Sequence, residues 1–188
     1  MGNTLIYVVD NNVFSRTFSN FSMSVFDDIW EPWSTMIHQG KIVSVDEVLC
    51  ELNQRWDALS DEGNWLKSHK ECFLKTTNEE GFVVAEIFKN RKFREGVKEA
   101  SLRNGSPEAD AFLVAKAKVL GGVIVTAESD QKPSSEKIPN IAVAFKVPYM
   151  TQNEFYRMLR NIHGGRTEHE GVSVCYDLGV PFVLSENC

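Results

Sequence analysis

Acidic residues that could share one site recur along the chain, each at the end of a predicted strand or near the start of a predicted helix. They are Asp10, Glu47, Glu51, Asp110, Glu128 and Asp130. Hard divalent cations prefer oxygen ligands, and Mg²⁺ takes one or two carboxylates directly while it keeps several waters. Such a cation can activate a water and neutralise charge on phosphoryl oxygens, as phosphodiester hydrolysis requires. Because carboxylates that converge without a counterion repel one another, a meeting of these residues in space predicts a cation site.

Each acid also has a simpler explanation when it is taken alone. Asp10 could complete a turn through its own side chain, and Glu51 could be a solvated helix residue. Glu47 and Asp110 fall in the first turn of predicted helices, where the helix dipole favours an acid. The other two acids could belong to an ordinary loop. Only their joint placement at one edge of a sheet favours a shared site.

The scaffold is predicted by short apolar runs that alternate with helical patterns. The runs that predict strands are residues 4–9, 41–45, 123–126 and 141–147. Strands that alternate with helices form a parallel sheet with helices on both faces. We therefore predict an α/β fold with a central parallel sheet of four to five strands. Such sheets bind ligands at the carboxyl ends of their strands, which is the edge where the acids are expected.

The helices are predicted from apolar spacing and from end signals. Residues 26–38 have helical spacing, and Pro32 predicts that this helix begins near it, because proline is tolerated in a first turn. Ser106, followed by proline, predicts the start of a helix that ends at a Gly-Gly pair. Thr151 is the predicted cap of a closing helix. The Asp-Asn-Asn sequence at residues 10–12 predicts a loop after the first strand.

The length of 188 residues suits one domain. We predict that it covers residues 1–163, with an enlarged helical region at residues 60–104. Residues 164–188 are predicted to be a tail or an added edge strand.

Composition excludes several classes of protein. The net charge of −6 argues against a protein that coats nucleic acid by bulk charge. No stretch has the apolar length of a transmembrane helix, and the start lacks the basic segment and cleavage site of a signal peptide. We therefore expect a cytoplasmic protein. The four cysteines show no C-x-x-C spacing, so free thiols are the expected state.

The ordered motifs resemble the PIN-domain family. The motifs are a strand ending in Asp10-x-Asn12, Ser44 leading into a helix with Glu51-Leu52, Ala109-Asp110-Ala111 opening a helix, and Val125-Thr126-x-Glu128 after a strand. The resemblance covers roughly residues 4 to 160. It implies a three-layer α/β/α fold and a Mg²⁺- or Mn²⁺-dependent ribonuclease.

The resemblance assigns roles to individual residues. Asp10, Glu51 and Asp110 match the three core acids of the family, and Glu128 stands in the fourth acidic position, where Asp is usual. All four are the expected metal ligands and catalytic residues. The spacing from Ser44 to Glu51 is one residue longer than the family pattern.

Several further residues have supporting roles under the same resemblance. Asn12 and Thr126 match polar residues that support the site. Glu47 remains a rival for the second acid, and Asp130 could share the role of the fourth. Lys132, just past the fourth acid, could meet a phosphate, although a solvated lysine is the simpler interpretation.

The resemblance implies a toxin of a type II toxin–antitoxin module, similar to VapC, that cleaves RNA. A homodimer and a cognate antitoxin protein are the expected partners, and no membrane is expected. Two alternatives stay open. One is a non-catalytic PIN-like module that binds RNA or protein, and the other is a related nuclease that acts on DNA flaps.

Overall fold

A five-stranded, all-parallel sheet forms the centre of the computed structural model, which describes residues 5–94, 109–128 and 137–164. The strands in chain order are β1 (Tyr7–Val9), β2 (Ile42–Val45), β3 (Phe73–Leu74), β4 (Val123–Thr126) and β5 (Tyr149–Thr151). Their order across the sheet is β3-β2-β1-β4-β5. The predicted α/β fold with a central parallel sheet is confirmed.

Helices cover both faces of this sheet. They are α1 (Asn11–Asn20), α2 (Asp27–His38), α3 (Asp46–Arg55), α4 (Asp61–Ser68), α5 (Asn78–Lys89), α6 (Asp110–Leu120), α7 (Ile138–Ala144) and α8 (Gln152–His163). A 3₁₀ turn spans Lys70–Cys72, and residues 91–94 are helical. Helices α2 and α8 pack against each other, and α6 packs against α5, α7 and the three central strands. Within the described ranges, no helix has the length and apolar content needed to span a membrane.

Buried apolar residues explain why β1 is central. Tyr7, Val8 and Val9 are all buried, as expected for a parallel strand covered on both faces. The register pairs Tyr7 with Ile42 on one side and Val9 with Val125 on the other. This register places the ends of β1 and β4 side by side.

Aromatic rings hold the first helix onto the sheet. Phe14 of α1 lies with its ring centroid 5.3 Å from the rings of both Trp33 and Phe73. Phe18, one turn later, stacks on Trp30 at 5.6 Å. Such pairs contribute about 0.5–1.5 kcal/mol each beyond the area that they bury. They therefore fix α1, and with it the polar residues of its first turn.

The two ends of the sheet are built differently. At the carboxyl ends of β1, β2 and β5, helices follow with almost no loop, since Asp10 alone separates β1 from α1, while α3 and α8 begin directly after β2 and β5. At the opposite end, the chain turns from helix to strand through left-handed residues: Gly40 (φ 68°), Gly121 (φ 64°) and Lys146 (φ 57°). Glycine adopts this conformation without steric cost.

The predicted strand at residues 141–147 is wrong. These residues belong largely to helix α7, which begins after Lys137 with proline in its first turn, and the strand is β5, Tyr149–Thr151. The buried positions Ile138, Ile141 and Ala142 have helical spacing. The apolar run was therefore too short for its period to separate helix from strand.

Three other predictions are corrected. Helix α2 begins at Asp27, not near Pro32, which is buried within the helix. The predicted loop at residues 10–12 is reduced to Asp10, because α1 begins at Asn11. The region 60–104 also contains β3, a strand of two residues at the edge of the sheet. Thr151 caps α8 as predicted, by a capping box with Glu154.

Some predictions fall on residues that the structure does not describe. They are the helix start at Ser106, the side chains of Asp130 and Lys132, and the tail from residue 165 onward.

Candidate metal centre at the carboxyl end of the sheet

Asp10 lies at the centre of the site, between β1 and α1, and is only 2% exposed. Its backbone N–H donates to the carbonyl of Val125, which continues the pairing with β4 by one residue. The Thr126 hydroxyl donates to Asp10 Oδ2 at 3.1 Å, and the Asn12 amide lies 3.4 Å from the same oxygen. The two polar residues expected to support the site therefore both contact the central acid.

Asp10 resists ionisation in this environment. Burial, followed by the negative charge of Glu128, raises the pKa of Asp10 to about 6, against the hydrogen bonds from Thr126 and Asn12. The effect of Glu128 shows that the first and fourth acids are close enough to repel each other. A cation beside Asp10 would remove this electrostatic cost.

Glu51, in the second turn of α3, is connected to Asp10 through Asn11, the residue that follows Asp10. The Asn11 amide donates to Glu51 Oε2 at 2.6 Å, and Asn11 in turn accepts a hydrogen bond from Ser15 at 3.1 Å. Burial raises the pKa of Glu51, while the Asn11 amide and the backbone N–H of Ala109 lower it. Because Ala109 precedes Asp110, this contact also brings Glu51 to the start of α6.

Asp110 is the first residue of α6 and its Oδ2 atom is buried. Glu47, one turn before Glu51, faces a different neighbour. Burial raises its pKa, Asp46 raises it further, and the charge of Lys116 lowers it. The structure thus joins Glu51 to the residues around Asp10 and Asp110, and places Glu47 towards the buried lysine of α6.

Glu128 follows β4, and a hydrogen bond from its backbone N–H holds its main chain in place. Its N–H donates to the Thr126 hydroxyl at 3.2 Å, so Thr126 connects the first acid with the fourth. Glu128 Oε1 lies 3.7 Å from Nζ of Lys137. Its other oxygen, Oε2, is buried and accepts no hydrogen bond from the described residues.

Asp10 and Glu128 offer the oxygen ligands that a hard divalent cation prefers. The buried Oε2 atom of Glu128 accepts no hydrogen bond from the described residues, and it would be costly to leave without a partner. Across residues 5–94, 109–128 and 137–164, no three Asp, Glu, His or Cys side chains come close enough to ligate one ion. Mg²⁺ needs only one or two direct carboxylates, with waters reaching the rest. Asp10 and Glu128 are the pair whose charges interact most clearly.

Sequence reasoning missed two residues of this site. Asn11 was assigned to a turn, although its position beside the first acid and the helical spacing of Val13, Phe14 and Thr17 indicate a helix that begins there. Lys137 carries no sequence signal that links it to Glu128, because their contact depends on how α7 begins.

One protein family model matches most of the chain. A family model described as a domain of unknown function (DUF4411) matches residues 7–162. The chain belongs to this family. The segment matched to DUF4411 includes all five strands and the four acids at positions 10, 51, 110 and 128. A search of curated proteins found no match.

Proposed function

We propose that this DUF4411 protein is a Mg²⁺- or Mn²⁺-dependent endoribonuclease with a PIN-like fold. The observation that carries the proposal is the buried Asp10, whose pKa is raised to about 6 beside Glu128 at the carboxyl end of a parallel sheet. Perturbed, buried carboxylates at this edge are typical of functional sites. The ordered resemblance to PIN domains supplies the substrate class.

Asp10 and Glu128 would ligate the cation directly, and Glu51 and Asp110 would contact its bound waters. When bound there, a divalent cation supplies an activated water and neutralises charge on the phosphate. The chain's own polar groups prepare this site. Thr126 orients the Asp10 carboxylate, and Asn11 orients Glu51.

The test is cleavage of a labelled single-stranded RNA with Mg²⁺ or Mn²⁺. We expect cleavage that EDTA abolishes, and a loss of at least about 100-fold in kcat/KM for Asp10→Asn, because a ligand oxygen loses its charge. Asp61→Asn is the matched control, since Asp61 is an exposed acid in the first turn of α4. Activity that survives both EDTA and Asp10→Asn contradicts the mechanism. Cleavage of branched DNA in preference to RNA would instead identify a flap-type nuclease.

The resemblance also supports a biological role as the toxin of a type II toxin–antitoxin pair in the cytoplasm, active as a homodimer and held by an antitoxin protein. Expression of the wild-type chain should then arrest growth, and Asp10→Asn should not. Light scattering of the purified protein tests the dimer.

A second candidate is a PIN-like module that binds RNA or protein without catalysis. The ion pair between Lys137 and Glu128 favours it, because a protein cation already offsets part of the charge of the fourth acid. Calorimetry separates the two candidates. A nuclease should bind Mn²⁺ with loss of binding in Asp10→Asn, whereas the module should bind no divalent ion and cause no growth arrest.

A further inference from the structure

Lys137 is anchored rigidly at its main chain while its side chain reaches over the acids. Its carbonyl accepts the N–H groups of Asn140 at 3.0 Å and Ile141 at 3.2 Å, which starts helix α7. The next two residues, Ile138 and Pro139, are buried. The Lys137 side chain remains 54% exposed. A fixed base with an accessible ammonium group suits contact with a ligand that arrives from solvent.

The position of the ammonium group is set by two acids from different elements. Its Nζ atom lies 3.7 Å from Oε1 of Glu128, after β4, and its charge also acts on Glu51 in α3. Lys137 therefore lies beside the acid group (Asp10, Glu51, Asp110 and Glu128), on the α7 side. A second lysine of the described residues, Lys116, has a buried Nζ and points to Glu80, so it cannot meet a ligand from solvent.

The pair between Lys137 and Glu128 is easily exchanged. A half-exposed ion pair at this distance contributes little to stability. A divalent cation near Glu128 would weaken this pair by repelling the ammonium group. A phosphate of the substrate would attract the ammonium group, since a lysine is a compact point charge that suits a non-bridging phosphate oxygen.

We propose that Lys137 contacts the phosphate of the RNA strand bound across the acid group. This inference rests on the proposed function for the identity of the substrate. Lys137 transfers no proton in this role. Its role is to hold a non-bridging oxygen of the phosphate that lies beside Glu128.

The first experiment measures cleavage. Lys137→Met keeps the length of the side chain and removes its charge, and we expect kcat/KM to fall about 10- to 100-fold. Lys137→Arg should recover most of this loss. Lys118→Met is the matched control, because Lys118 is an exposed lysine on α6 that bonds the carbonyl of Phe145. It should leave kcat/KM unchanged.

The second experiment does not depend on cleavage. Binding of a fluorescent single-stranded RNA is measured against salt concentration without divalent ions, in Asp10→Asn and in Asp10→Asn with Lys137→Met. Loss of one phosphate contact should reduce the slope of log K against log salt by about 0.7. An unchanged slope, or no RNA binding to either variant, overturns the inference. If Lys137→Met reduces the slope but the wild type cleaves no RNA, the phosphate contact is supported and the proposed nuclease activity is rejected.

Discussion

Two buried charged groups, both involving α6, differ in how completely they are paired. Near the middle of α6, Lys116 lies 2.7 Å from Glu80 Oε2, and both side chains are at most 3% exposed. Lys116 also donates to the carbonyl of Lys75 at 2.9 Å, and Glu80 accepts the N–H of Thr77 in a capping box. At the acid group, by contrast, Asp10 is buried beside a like charge.

This difference in pairing distinguishes a charged pair that serves the structure, Lys116 with Glu80, from acids that serve a function, Asp10 and Glu128. A buried ion pair persists when its hydrogen bonds offset the cost of desolvation, and the pair of Lys116 with Glu80 satisfies that condition. Asp10 and Glu128 receive neutral donors and one half-exposed lysine. Burial of unneutralised carboxylates costs stability, so we infer that this group is retained for what it binds.

The largest effect is expected at the paired group. Lys116→Met should lower the free energy of unfolding by about 3–5 kcal/mol, because it leaves Glu80 as a buried charge without its counterion. Urea denaturation at pH 7 measures this loss. The double variant with Glu80→Gln should recover most of it, since glutamine can still accept the N–H of Thr77.

Lys118→Met is the control for this measurement and should change the free energy of unfolding by less than about 0.5 kcal/mol. If Lys116→Met costs no more than this surface variant, the two buried groups do not differ as described.

At the acid group, by contrast, removal of a charge is expected to raise the free energy of unfolding. The pKa of Asp10 is about 6 in the folded protein, above its ordinary value of 3.8. The folded state therefore binds a proton more tightly, and Asp10 makes the protein less stable as pH rises from about 4 to about 6. Asp10→Asn should raise the free energy of unfolding at pH 7, without divalent ions, by an amount on the order of 2 kcal/mol.

The pH dependence of the stability gained by Asp10→Asn serves as the control for this prediction. The difference between wild type and Asp10→Asn should vanish below about pH 4, where Asp10 is protonated in both states, and Mn²⁺ should stabilise the wild type alone. A variant less stable than the wild type at pH 7 would mean that Asp10 is a structural charge like Glu80.

The smallest effect concerns the coupling of the two acids. Glu128→Gln removes the like charge beside Asp10 and should lower the pKa of Asp10 from about 6. A carbon-13 NMR titration of the Asp10 carboxyl group measures the change. Glu47→Gln should leave this pKa in place, because Glu47 is not among the groups that shift it. If both variants shift the pKa of Asp10 equally, Glu128 is not the acid that lies beside Asp10.

The strands that position the acids were predictable from sequence. Asp10 stands after a run of buried apolar residues, and parallel strands end at a common edge, so its place beside Thr126 followed from general rules. The capping box at Thr151 was similarly local, since it depends on residues three apart in the chain.

Other parts of the site depend on tertiary contacts that no local pattern contains. The contact between Lys137 and Glu128 requires α7 to begin where it does, and the run at 141–147 gave the wrong type of element there. Helix α2 includes Pro32 because packing of Trp30 and Trp33 outweighs the hydrogen bond that proline removes. Burial and repulsion at Asp10 likewise appear only when the chain is folded.

The nearly direct passage from strand to helix after β1, β2 and β5 constrains how this protein can vary in length. An extra residue between Val9 and Asn11 would rotate the first turn of α1 by about 100° and carry its amide groups away from the acids. The glycine turns at the far edge tolerate insertions better, because residues added there only lengthen a loop. Insertions and deletions among related chains should therefore collect at that far edge and spare the junctions at residues 10, 45 and 151.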